Sequence, residues 1–380
     1  MYDLAAYAAM IAFKGRTSAY ARGIEARVVP GSVVLDIGAG TGILSFLACR
    51  AGASKVYAVE SADIIQLARE TAADNGFSSH IEFVQGLMTE IDLPEKVDGI
   101  VCDIHGLLPV NGKSIVSILD ARDRFLKPGG WILPARETMW AALACCPSLH
   151  ESLINTWDTE YGFDFGRARL KAVNSFRGVR LKPEDLLLTP QRWIMLDYKN
   201  LDGPSVKGDL SYLIERNATA HGVCMWYEAE TAPASSFTNA PAAIERYVYR
   251  HAFFPWPEAV ELMAGDRVTV SLRADFVNGD YVWSWDTTLK SDSSQVKARY
   301  RQSTFIGATL SHERLRRRAA GFVPEPNQNW RIDSKLLELI GRGISLGEMA
   351  SALLAEFPAQ FENWQVALAR AADLSETYGK

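Results

Sequence analysis

The segment Asp36-Ile-Gly38-Ala-Gly40-Thr-Gly42 constrains this chain most, because its glycines fall between an apolar β-branched run and an apolar run at helical spacing. Such a turn joins the first strand of an open sheet to the helix behind it, and the missing Cβ atoms let a ligand approach the backbone at the helix N-terminus. A dinucleotide fingerprint requires G-x-G-x-x-G. Ile43 stands where its third glycine belongs, so the spacing argues against a nicotinamide or flavin cofactor. Glu60 closes the next apolar strand and places a carboxylate where it can accept both hydrogen bonds of a ribose diol. Together the two features describe a site for a nucleoside without a pyrophosphate.

The same alternation continues: IIQLARETAADNG reads as a helix, HIEFVQG and VDGIVCDIH as strands, and SIVSILDARDRFLKPGG as a helix stopped by Pro-Gly-Gly. It predicts an α/β fold with a Rossmann-like, doubly wound parallel sheet over residues 1–133. From Trp131 the period changes to two in WILPARETMWAALA, RWIMLDY, HGVCMWYEAE, DRVTVSLRADF and DYVWSWDTTL, which predicts an antiparallel β-barrel-like domain over residues 134–320. Helical periodicity returns in SKLLELI, SLGEMASALLAEF and WQVALARAADL, with Ser345 as an N-cap, giving a small helical domain over residues 321–380. At roughly 100 to 200 residues per domain, a chain of 380 residues has room for two or three cores.

Composition narrows the partners. With 48% apolar residues, 22% charged residues and a net charge of −5, the chain is a folded protein and not a default nucleic-acid binder. The basic cluster Arg314, Arg316, Arg317 and Arg318 reads as a solvated helix face. No apolar run approaches the roughly 18 residues of a membrane helix, and Met1 does not open a basic n-region, so a cytoplasmic, membrane-free protein is expected. Five cysteines without C-x-x-C spacing suggest neither a disulfide framework nor a metal site.

VLDIGAGTGILSFLACRAGASKVYAVE, LPEKVDGIVCD, LDARDRFLKPGGWILP, WDTEYGFDF and ERNATAHGVCMWYEAE, in this order, resemble successive segments of the protein arginine methyltransferases over residues 2–300. The first segment is shared by class I methyltransferases at large, whereas LDARDRFLKPGG followed by WDTEYGFDF is distinctive of this family. The resemblance implies S-adenosyl-L-methionine as methyl donor. It also implies roles for single residues: Met10 lining the methyl-donor site, Arg16 on the donor's carboxylate, Asp36, Gly38, Gly40 and Gly42 in the cofactor turn, and Glu60 and Ser61 against the nucleoside. Leu87, Met88 and Thr89 fall on the adenine-edge segment, Thr89 replacing the family's glutamate, with Glu90 as a substitute.

The acceptor loop departs from the family. Two glutamates grip the guanidinium there; here Asp103 takes the first place and Gly112, in a gap-free alignment, the second. A guanidinium stays charged at any ordinary pH, and without paired carboxylates its approach to a sulfonium costs several kcal/mol in a partly buried site. The family's Thr-His-Trp loop aligns with Tyr247-Val248-Tyr249, and Phe13 stands where the carboxylate partner of that histidine belongs, so a polar pair has become an apolar one. Asp103 and His105 lie two apart; if the strand reaches them they share a face, and His105, oriented by Asp103, is a candidate general base. The expected function is therefore methyl transfer to a non-standard small-molecule or peptide acceptor. The alternatives are a genuine arginine methyltransferase using Asp103 alone and a cofactor-binding pseudoenzyme. An arm over about residues 156–186 implies a homodimer by resemblance, with Leu170, Val173 and Phe176 as candidates to meet the partner. The tail is similar, faintly, to winged-helix modules that grip leader peptides, and equally to a plain helical cap.

Overall fold

The computed structural model describes residues 3–157, 161–243, 249–327 and 329–379, which form two compact units, Met1–Ala308 and Thr309–Lys380. The first unit opens with helices α1 (Leu4–Ala12) and α2 (Lys14–Glu25); Asp3 caps α1, its carboxylate accepting from the Ala6 N–H at 2.8 Å. Next come β1 (Val33–Ile37), α3 (Ile43–Arg50), β2 (Lys55–Glu60), α4 (Ile65–Asp74), β3 (Ile81–Gln85), β4 (Val97–Cys102), α5 (Ser114–Phe125) and β5 (Leu126–Leu133). The strands are parallel in the order β3-β2-β1-β4-β5. β1 has a neighbour on each edge and all five of its residues are buried, which explains its unbroken apolar run. The strand order reverses at the β1/β4 pair, where open α/β sheets bind ligands outside the carboxyl ends of their strands.

Two local expectations are corrected. α5 ends at Phe125, and Lys127-Pro128-Gly129-Gly130 runs inside β5 instead of terminating the helix. The residue before a proline avoids the helical region, and β5 is an edge strand paired only with β4, where a proline removes no ladder bond. β4 in turn stops at Cys102, so Asp103, Ile104 and His105 belong to a loop and not to a strand face.

The rest of this unit is antiparallel: β6 (Arg136–Ala144), α6 (Pro147–Leu153), α7 (Gly166–Val173), β7 (Arg177–Val179), β8 (Gln191–Asp197), β9 (Val206–Leu213), β10 (Ala218–Ala232), β11 (Ser235–Thr238), β12 (His251–Leu262), β13 (Arg267–Val277), β14 (Asp280–Lys290), β15 (Val296–Ser303) and α8 (Thr304–Gly307). One sheet runs β7-β12-β10-β6-β8 with β11 on β10, the other β15-β14-β13-β9. Alternation places Val268, Val270, Leu272 and Ala274 of β13 in the core with no exposure. α2 packs against β10 and β11: the Thr231 hydroxyl donates to the Ala19 carbonyl at 2.7 Å, and Arg22 donates to Ser235 at 3.0 Å. In the expected arm, Leu170 is exposed, but Val173 is buried and Phe176 stacks on Phe254 at 4.9 Å, so these two pack within their own chain instead of facing a partner. Residues 158–160 of that arm lie outside the described residues.

The second unit holds α9 (His312–Arg317), α10 (Trp330–Gly341), α11 (Leu346–Glu356) and α12 (Trp364–Tyr378) around its own core, including Leu336, Leu339, Ala350, Leu353 and Ala371. Ser345 and Glu348 form a capping box at the start of α11. No strand occurs among the described residues 309–379, so no wing forms there. Arg316 and Arg317 pair with Glu313 on exposed α9. No helix among the described residues is long and apolar enough to cross a membrane.

Candidate functional site

A cavity of about 540 Å³ opens beyond β1, β2 and β4, lined from above by Tyr7, Met10 and Ile11 of α1; small-molecule sites span about 300–1,000 Å³. Gly38, Gly40, Glu60 and Ser61 line it, as do Arg16, Leu87 and Met88. Three residues expected at the cofactor do not. Asp36 is buried beneath the turn, where one oxygen accepts from the Ser45 hydroxyl at 2.6 Å and burial pushes the carboxyl up to about 7. Gly42 caps α3 with φ +86°, and Thr89 is exposed on the turn after β3. Asp36 and Gly42 thus shape the turn from behind, and Thr89 faces away.

The turn is fixed by the Gly38 and Ala39 N–H groups, which donate to the Val59 carbonyl at 2.8 and 3.0 Å. Gly38 and Gly40 have φ of +71° and +53°, and a Cβ on Gly40 would lie 2.9 Å from the Tyr7 ring. Glu60 accepts from the Gly40 N–H at 3.1 Å and the Ala62 N–H at 2.9 Å, one bond per oxygen. Each oxygen keeps a lone pair for a ribose hydroxyl, so the residues present fit an adenosyl group.

At the other end of the cavity, Asp103 and His105 do come together, through a loop conformation and not through strand alternation: His105 Nδ1 lies 2.8 Å from Asp103 Oδ1. Arg16 takes the other carboxylate oxygen, Oδ2, through Nε and Nη2, and the Tyr20 hydroxyl, 2.7 Å from the Cys102 carbonyl, reaches Oδ1 at 3.4 Å. Although burial alone would raise the Asp103 carboxyl, Arg16 and His105 hold it well below the usual carboxylate range. His105 Nε2 bonds Glu137 Oε1, whose second oxygen accepts from the Tyr198 hydroxyl. The imidazole also stacks on Tyr227, centroids 5.0 Å apart. Burial alone would discharge this ring, but Glu137 and Asp103 reverse that and push it up to about 10. A protonated ring has no lone pair with which to take a proton, which opposes the general-base role.

Gly112 has open space around it and presents no side chain to the loop. Phe13 is buried, and the Tyr249 hydroxyl lies 3.7 Å from the Met10 sulfur; Tyr247 and Val248 lie outside the described residues. Among the described residues no group of three His, Cys, Asp or Glu is placed to hold a metal ion. Tyr7, Tyr20, Glu137, Tyr198 and Tyr227 escaped the sequence reading. Glu137 had a signal: it occupies an inward position of β6 together with Met139, Ala141 and Leu143.

Residues 34–130 match the methyltransferase domain family. The chain is 30% identical over 311 residues to protein arginine N-methyltransferase 6 of Danio rerio, covering 73% of this chain and 88% of the fish protein. It is 32% identical over 237 residues to the probable protein arginine N-methyltransferase 6 of Arabidopsis thaliana, covering 60% of this chain and about half, 54%, of the plant protein. A Trypanosoma brucei PRMT1 enzyme–prozyme heterotetrameric complex with AdoHcy has a similar fold, with a TM-score of 0.70 at 23% identity over 78% of this chain and 96% of that one.

Proposed function

The chain belongs to the protein arginine N-methyltransferase family of S-adenosylmethionine-dependent enzymes, and on that premise we propose that its acceptor is a nucleophile other than a charged guanidinium. The observation that carries this reading is the state of Asp103: both carboxylate oxygens are engaged, by Arg16 and by His105, and the side chain is only 4% exposed. With Gly112 in the second glutamate's place, no pair of carboxylates is left to face a guanidinium.

When bound, S-adenosylmethionine supplies an electrophilic methyl group for in-line displacement. The chain's own residues bind and orient: Glu60 takes the ribose diol, Gly38 and Gly40 admit the adenosyl group, and Ser61, Leu87 and Met88 line the nucleoside end. Met10, with Tyr249 against its sulfur, walls the methyl-donor end. Arg16 offers its guanidinium to the donor's carboxylate from the position it shares with Asp103. His105 serves as a fixed cation, and rate comes from orientation and from exclusion of water in a buried site.

A second reading, arginine methylation, is favoured by the same contact seen from the other side. If Arg16 moves to the donor's carboxylate, Asp103 Oδ2 is released to one guanidinium nitrogen. Mass spectrometry on arginyl peptides and on a panel of uncharged amine, imidazole and hydroxyl acceptors separates the two. The expected outcome is no methylated arginine; a one-methyl increase localised to arginine would transfer the conclusion to the second reading. Donor binding without turnover on any acceptor would favour a pseudoenzyme.

A homodimer is proposed as well, on the exposed apolar residues Tyr161, Phe163, Phe165 and Leu170 between α6 and the end of α7. Sedimentation equilibrium should return twice the 42.0 kDa chain mass, and Phe163→Asp should shift it toward one chain; a monomer at micromolar concentration would remove the proposal. A cytoplasmic location accords with five free cysteines.

A further inference from the structure

Glu137 is 1% exposed on the inward face of β6, where one oxygen bonds His105 Nε2 and the other accepts from the Tyr198 hydroxyl. The other nitrogen of His105 faces Asp103 Oδ1 at 2.8 Å. A carboxylate offers lone pairs and no proton, so a ring set between two carboxylates must donate from both nitrogens, which only an imidazolium can do. The ring meets Asp103, Glu137 from β6, Tyr227 from β10 and Phe237 from β11, and its two carboxylate partners in turn bind Arg16 and Tyr20 from α2, on Asp103, and Tyr198 after β8, on Glu137. Two cations, Arg16 and His105, thus stand against two carboxylates, Asp103 and Glu137, and the buried set is neutral. A guanidinium or ammonium brought to Asp103 would be a third cation for two anions in a site with little water to screen it.

We propose that Glu137 is a positioning residue which, through His105, fills the charge-pairing place beside Asp103 with the protein's own cation, so that the acceptor site admits uncharged or anionic nucleophiles and turns cations away. The proposal names the acceptor class for the methyl transfer proposed above and rests on that reading. Tyr198 completes the device by occupying the remaining Glu137 oxygen, which leaves His105 as that carboxylate's charged partner.

The test has two arms. In the first, agmatine is titrated calorimetrically into protein saturated with S-adenosylhomocysteine. Wild type should show no saturable binding. His105→Ala, which leaves Asp103 and Glu137 one cation short, should gain saturable agmatine binding, and His105→Ala/Glu137→Gln should lose that gain. Equal binding by wild type and His105→Ala, or a gain that survives Glu137→Gln, would overturn the proposal. Should His105→Ala not fold, His105→Gln carries the same prediction. In the second arm, histidine nitrogen NMR of the full chain should show His105 as imidazolium well above neutrality, and Glu137→Gln should bring its titration down toward the ordinary value of about 6.5; an unchanged titration would refute the role of Glu137. This arm needs no ligand. If S-adenosylhomocysteine does not bind, the methyltransferase reading fails while the charge-pairing proposal is still judged by the NMR.

Discussion

Glu60 links sequence to function most directly at the scale of a residue. It closes a buried strand, its oxygens each accept one backbone N–H, and it faces the cavity with lone pairs to spare. Hydrogen bonds to a charged group contribute about 1.5–3 kcal/mol. Glu60→Ala should therefore weaken S-adenosylhomocysteine binding by roughly 10- to 100-fold in calorimetry, and an unchanged affinity would remove Glu60 from the site. This carboxylate was legible because a charged residue ending an apolar strand has few structural uses. Glu137 was as visible in principle, a carboxylate among inward-facing apolar positions, but alternation gives only its face and not its partners. Those partners, His105 and Tyr198, come from the loop after β4 and the segment after β8, far from Glu137 in sequence.

At the scale of an element, sequence signals held where the deciding contacts are local. The Ser345–Glu348 capping box is a four-residue motif, and it starts α11. Ser345→Ala removes an N-cap worth about 1 kcal/mol; hydrogen exchange of α11 in the full chain should quicken by about fivefold, with β13 unaffected, and no change would discount the cap. Gly40 is a second local case, since φ +53° excludes most side chains and Tyr7 fills the space beside it. Gly40→Ala is expected to lower the thermal midpoint and donor affinity together; loss of neither would show that the turn tolerates a side chain. The signals failed where neighbours decide. Pro-Gly-Gly reads as a helix stop, yet β5 absorbs it because that strand lies at a sheet edge. The end of β4 at Cys102 is likewise set by the ladder with β1 and β5, which no local pattern contains.

At the scale of the whole molecule, the buried charge set joins the parallel sheet's loop to the antiparallel sheet, so its protonation couples to the folding of residues 1–308. His105 is raised to about 10 in the native state against about 6.5 unfolded. The stability it contributes is complete below the lower value and is lost as pH climbs through the higher. Asp103 is shifted downward, so its contribution is present above the unfolded value of about 3.9 and disappears in acid. Asp36, raised to about 7, removes stability as pH rises from about 4 toward neutrality. The urea midpoint should accordingly fall between pH 7 and pH 9.5, and His105→Gln should flatten that fall; a wild-type midpoint constant over this range would contradict the assignment. By itself the sequence determined the parallel and antiparallel halves, the helical tail and the glycine turn after β1, because strand and helix periods, a glycine turn and a strand-end carboxylate are set within a dozen residues. Only the tertiary structure decided what Asp103 and His105 do. Their charge states depend on Arg16, Glu137 and Tyr198, which packing brings together in a buried site, and Coulomb interactions there follow distance in space and not position along the chain.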